Sequence, residues 1–227
     1  MKIKIKIENM NQIAAISLFW GSLWGIAEAT LGYLIHLAKF FPGLAGFVMF
    51  PIGFYFMNRA YRESGKTISL FSTSAAAATI KLVDLFLPGL SPIATINPAL
   101  AILMEGAVVM AIYRVVQKKQ QVFGFRELLM AAVGWRAVFV FYSFVLMVLS
   151  ISADFFHKGI GYFLRYFFLN PLANAVFIAI YLKISKALER NRVSAFAGGL
   201  SFSCVLFAAV IFVKMILVRF FPVFSVG

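Results

Sequence analysis

The chain has 227 residues, 63% hydrophobic and 13% charged, with a formal net charge of +13, whereas soluble domains are about half apolar and a quarter charged. A water-soluble core cannot hide that much apolar surface, and a nucleic-acid binder would set its basic residues on a solvated face among polar neighbours, not between apolar runs. In hydrocarbon a backbone satisfies its own hydrogen bonds as helices or as a closed barrel of short alternating segments; these apolar runs are long and continuous, so the expectation is an all-α polytopic transmembrane bundle of six to seven helices.

Residues 1–10, MKIKIKIENM, alternate lysine with isoleucine. They read as a basic cytoplasmic segment ahead of a retained anchor, because the next apolar stretch is too long for a signal peptide and lacks a small-residue cleavage site. Apolar helices are then predicted at 12–37, 44–61, 68–87, 98–116, 128–152, 161–188 and 196–220. The second holds Pro51 and several glycines and reads as a tilted or broken span, which leaves six full crossings possible. Residues 88–98, with glycine, proline and serine, are expected to form the longest outer loop. No separate soluble domain is expected, so residues 1–227 read as one integral membrane domain.

Basic residues are asymmetric along this pattern. One set of connections holds Lys2, Lys4 and Lys6, then Arg59, Arg62 and Lys66, then Arg114, Lys118, Lys119 and Arg126, then Lys183, Lys186, Arg190 and Arg192. The intervening connections hold only Lys39 and Lys158. Retention of Lys and Arg on the cytoplasmic side, where they also meet anionic lipid, predicts a multi-pass plasma-membrane protein with its N-terminus inside and, if all seven segments cross, its C-terminus outside. The one cysteine, Cys204, excludes an internal disulfide and is expected to be a small buried hydrophobe.

Ionisable groups inside a membrane are costly and usually face the bundle interior. Those within the apolar runs are Glu28, Lys81, Asp84, Glu105, Arg136 and Arg165. All but Arg136 fall in the outer half of their helices, where Asn97, Asn170, Asn174 and His36 join them. Such a belt reads as a pocket open to the outside; the alternative is interhelical ion pairing, such as Lys81 with Asp84 at i, i+3. On helix 1, Trp20, Trp24 and Glu28 form one line and Ser17, Gly21, Gly25 and Ala29 another, a ladder of small residues suited to close helix approach by a partner protein or within the bundle. On helix 6, Tyr166, Asn170 and Asn174 share a face, and Pro171 frees the carbonyl of Phe167.

Catalytic signatures are thin. His36 and His157 form no metal-ligand spacing with cysteine or carboxylates. Ser64-Gly65-Lys66-Thr67 lacks the earlier glycine and strand of a phosphate loop. Neither an enzymatic activity nor a cofactor is therefore expected.

The small-residue ladder of Ser17, Gly21, Gly25 and Ala29, together with the outward polar belt, resembles the substrate-binding S components of energy-coupling factor (ECF) transporters. That resemblance implies capture of a small vitamin-like or cofactor-precursor molecule, with the ladder meeting a coupling transmembrane subunit that works with cytoplasmic ATPases. The Met-His start of cobalt and nickel members is absent, which argues against a metal substrate. Under this reading Glu28, Lys81, Asp84, Glu105 and Arg165 pair with polar ligand groups. Asn170 and Asn174 add hydrogen-bonding positions, and Trp24 and Tyr33 touch the apolar part of the ligand. The rival readings are a membrane enzyme using the carboxylates on a lipid-like substrate, and a scaffold subunit whose functional surface is the ladder.

Overall fold

A computed structural model describes residues 2–32, 44–86, 92–121, 123–152, 155–189 and 200–220, all-α with no strand among them. Helix α1 (Lys2–Ala27) ends in a π turn, Glu28–Gly32. Helix α2 is Leu44–Ser64, and α3 is Ile68–Leu82 followed by a 3-10 turn, Val83–Phe86. Helices α4 and α5 are Pro92–Lys118 and Phe125–Val148. Helix α6 follows a 3-10 turn (Phe156–Lys158), runs Gly159–Leu164, passes through a π turn (Arg165–Leu169) and continues over Asn170–Glu189. Helix α7 is Leu200–Phe220.

Among the described residues five stretches are long and apolar enough to cross a membrane: Met10–Leu31, Ile68–Phe86, Pro92–Lys118, Phe125–Val148 and Phe156–Ser185. Their outward surfaces carry exposed Phe141, Val148 and Phe168, and the shorter apolar α7 adds Val205 and Phe212. A bundle clad in exposed aromatic and aliphatic side chains suits hydrocarbon as its solvent, and the chain is membrane-embedded. Cys204, expected inside, is exposed on α7; a thiol behaves as a small hydrophobe and has no need of the protein interior when the surroundings are apolar.

Side-chain pairings set the helix directions. Trp24 of α1 packs on Gly53 of α2 while Trp20 reaches Glu63, so these two helices are antiparallel. Gly21 faces Thr73 and Ala76, and Gly25 faces Ile80, so α1 and α3 rise together. Phe19 lies against Phe202 and Lys214 against Ile80, which places α7 in the same direction. Asn58 and Arg62 of α2 meet Tyr181 and Ser185 of α6, a parallel pair. Gly106 of α4 lies against Ser74 while Asn97 shares the cavity with Lys81, and Gly134 and Tyr142 of α5 meet Val108 and Asn97, so α3, α4 and α5 run successively antiparallel and consecutive described helices alternate in direction.

Two boundaries differ from expectation. Residues 88–98 are not one loop, because the chain is helical from Pro92 with Pro98 inside α4; proline fits a helix's first turn, where the amide has no intrahelical partner. The second segment is a continuous helix through Pro51. It is not among the five apolar stretches, because Asn58, Arg59, Arg62 and Glu63 occupy its last turns. It serves as the bundle's axis, with Phe50, Phe54, Met57 and Ala60 fully buried. At the α2–α3 turn Gly65 has φ +64°, and Ser64 Oγ accepts the Lys66 amide hydrogen at 3.2 Å. The SGKT string is therefore a helix-to-helix turn.

The helix-1 ladder packs within the bundle. A Cβ on Gly21 would come 2.5 Å from the Ala76 Cβ and 2.8 Å from the Thr73 carbonyl oxygen, and one on Gly25 would come 2.5 Å from the Ile80 Cδ1. Ser17 is buried and Ala29 exposed. Contact this close, to the α3 backbone at Gly21 and to the Ile80 side chain at Gly25, leaves neither glycine a surface for another protein. Gly25→Leu is expected to destabilise the bundle by about 1–3 kcal/mol through overpacking. A thermal melt in detergent micelles checks this, and an unchanged midpoint would mean that α1 and α3 do not touch there.

Candidate functional site

At the end of the bundle opposite the α1 N-terminus, six helices (Gly46 and Met49 being the share of α2) and the 3-10 turn before α6 surround a cavity of about 320 Å³. Helix α4 contributes Asn97, Ala101, Ile102 and Glu105, one face at helical spacing. Lys158 of the 3-10 turn and Tyr162 and Tyr166 of α6 follow, again four residues apart. Trp135 and Phe139 of α5 complete an aromatic wall, and Glu28 and Lys81 close the side formed by α1 and α3. At 1.5 Å per residue, Glu105 lies about 12 Å deeper along α4 than Asn97. Glu105 forms the floor; Lys158, exposed, stands at the mouth.

Glu105 is 4% exposed, and no described residue donates a hydrogen bond to it. Burying a carboxylate without a donor is costly. Arg136 lies within electrostatic reach, but its two terminal nitrogens are engaged elsewhere: Nη1 donates to the Ala132 carbonyl at 2.6 Å, and Nη2 to the Asn174 Oδ1 at 2.6 Å, while Nε is buried and makes no hydrogen bond to a described residue. The guanidinium is also stacked 4.5 Å from the Trp135 ring centroid and 5.5 Å from that of Tyr166. Arg136 thus fixes the aromatic wall from behind. Asn174 in turn donates to the Phe47 carbonyl at 2.5 Å, tying α6 to α2. Asn174→Ala is expected to cost about 2–3 kcal/mol, since hydrogen bonds to charged groups are the stronger ones. Chemical denaturation would read the loss, and a change below a few tenths of a kcal/mol would contradict the clamp.

The second charged group lies behind Lys81. Asp84 Oδ2 is 3.0 Å from Lys81 Nζ, and its Oδ1 is 2.8 Å from Lys214 Nζ of α7. Lys214 also donates to the Ile80 carbonyl at 2.9 Å. One carboxylate therefore joins two lysines and fastens α7 to α3. Glu28 Oε1 accepts from the Trp24 indole at 3.3 Å. On the other side of the floor, Phe50, Phe54 and Met57 fill the bundle axis, and Tyr113 donates to Asn58 Oδ1 at 3.1 Å.

Of the residues expected at the site, Glu28, Lys81 and Glu105 line the cavity. Trp24 is fully buried, one turn below Glu28, and supports its carboxylate. Asp84 and Asn174 serve as structural partners of Lys81, Lys214 and Arg136, so the ion-pair alternative describes Asp84. Arg165 and Asn170 are not among the lining residues. They flank the π turn at Arg165–Leu169, where the Asn170 amide donates to the Arg165 carbonyl, five residues back. Pro171, which has no amide hydrogen, follows directly, and the π turn redistributes the backbone bonds there; beside it lies an almost wholly apolar groove lined by Leu129, Val133, Phe163, Phe167, Phe168 and Leu172. Tyr33 and His36 lie outside the described residues, and His157 is exposed.

Trp135, Phe139, Tyr162 and the mouth-forming role of Lys158 were not foreseen, nor was Lys214. The spacing of Lys158, Tyr162 and Tyr166 carried a signal for one helix face, and a lone lysine in the apolar run of α7 carried another. Among the described residues no three His, Cys, Asp or Glu side chains are placed to share a metal ion. No family model, curated protein or solved structure matches the chain.

Proposed function

We propose that this protein captures a small molecule in the outer half of a membrane, as the S components of ECF transporters do, and performs no chemical step of its own. The observation that carries the reading is Glu105, a buried carboxylate that faces a cavity and has no donor among the described residues. An aromatic wall with a few placed polar groups is the usual make-up of a ligand pocket. Helix polarity supports the orientation: Arg62, Lys66, Lys118 and Arg126 lie at helix ends away from the cavity. With basic residues held inside, the N-terminus is cytoplasmic and the cavity opens to the exterior of a plasma membrane. Energy for release then comes from a coupling transmembrane subunit with cytoplasmic ATPases, docked elsewhere than on Gly21 and Gly25.

Ala101→Cys, in a Cys204→Ser background, places one thiol in the cavity. A membrane-impermeant maleimide is expected to label it in intact cells. Labelling only after permeabilisation would reverse the orientation and reject uptake from outside.

A further inference from the structure

Resting on the reading of the cavity as a small-molecule site, we propose that its ligand is a net-neutral, bipolar ring compound, with a basic nitrogen at one end and an acidic group at the other. The cavity itself is polarised along its axis. Glu105 at the floor offers an acceptor unmatched by any described donor, and Lys158 at the mouth offers an ammonium group 4.9 Å from the Tyr162 ring centroid. Tyr162 and Tyr166 lie one turn apart, roughly 6 Å along α6, and Lys158 stands beyond Gly159, whose φ of +79° breaks the helical path, so an aromatic wall separates mouth from floor. Trp135, Tyr162 and Tyr166 present rings along that wall, which suits a flat apolar body between two polar ends.

Charge balance selects against singly charged ligands. Glu28, Asp84 and Glu105 are matched in number by Lys81, Arg136 and Lys214, all within or directly behind the cavity wall. The site is therefore formally neutral before Lys158 is counted, and Lys158 is solvated at the mouth. A lone cation reaching Glu105 leaves the Lys158 ammonium without a counter-charge, and a lone anion reaching Lys158 leaves the Glu105 carboxylate without a donor. A zwitterion whose two ends reach Glu105 and Lys158 keeps the balance and satisfies the floor carboxylate with a charge-assisted hydrogen bond.

Three probes of one shape test this on the full chain in lipid nanodiscs, by titration calorimetry: 4-(aminomethyl)benzoate, benzylamine and 4-methylbenzoate. The bipolar probe is expected to bind about 10- to 100-fold more tightly than either singly charged probe, the span of one charge-assisted hydrogen bond. Glu105→Gln is expected to erase its advantage over 4-methylbenzoate, and Lys158→Gln its advantage over benzylamine. Equal affinity for all three, or an advantage that survives both substitutions, overturns the bipolar ligand while leaving capture itself standing. Failure of all three to bind also overturns it, and whether the protein holds any small molecule after purification then decides the capture reading separately.

Discussion

Asp84→Ala is expected to destabilise the protein by about 3–5 kcal/mol, the cost of removing one partner from a buried ion pair. Asp84 accepts from Lys81 at 3.0 Å and from Lys214 at 2.8 Å, and Lys214 is 8% exposed. Removing the carboxylate leaves two ammonium groups facing each other. Lys81 can turn toward the cavity, whereas Lys214 retains one hydrogen-bond acceptor among the described residues, the Ile80 carbonyl. The expected result is a lower unfolding midpoint and loosening of α7 from α3. Pairing Asp84→Leu with Lys214→Met should recover most of the loss, because apolar side chains of similar volume replace a buried pair at little cost. If Asp84→Ala melts as the unmodified protein does, the α3–α7 ion network is absent from the folded state.

Glu105→Ala is expected to lower ligand affinity by about 100-fold or more, since a buried charge-assisted contact is worth roughly 1.5–3 kcal/mol and its loss also leaves the ligand's donor without an acceptor. The same change should leave folding intact or strengthen it, because Glu105 receives no hydrogen bond from a described residue and its burial costs free energy. Weaker binding together with undiminished stability is the mark of a side chain kept for its ligand. A fall in stability with binding preserved would make Glu105 a packing residue.

Much of the architecture was legible because it follows from solvent physics. Apolar runs of about 20 residues can only be helices in hydrocarbon, and the placement of Arg62, Lys118 and Arg126 carried the alternation of directions. Helix boundaries were less legible where proline stood near them: Pro92 opens α4 and Pro98 lies within it. Cavity walls were harder still. Glu28, Lys81 and Glu105 stood out because charge inside an apolar run is conspicuous, whereas Trp135 and Tyr162 look like every other aromatic in a chain with 27 phenylalanines. The division of labour between Lys81 and Asp84 depended on Lys214, 130 residues further along the chain. The glycine ladder was legible as a close-approach surface but not as to its partner, because spacing specifies how near a helix can come and not which helix arrives.

Small-molecule capture, as proposed, requires that the cavity between α1 and α6 hold a ligand. Native mass spectrometry of the protein, released from its own membrane into nanodiscs, tests this most directly. A discrete low-mass compound retained at near one per chain, and lost in Glu105→Ala, is the predicted result. Protein carrying lipid alone, with the same mass distribution in both forms, would contradict it.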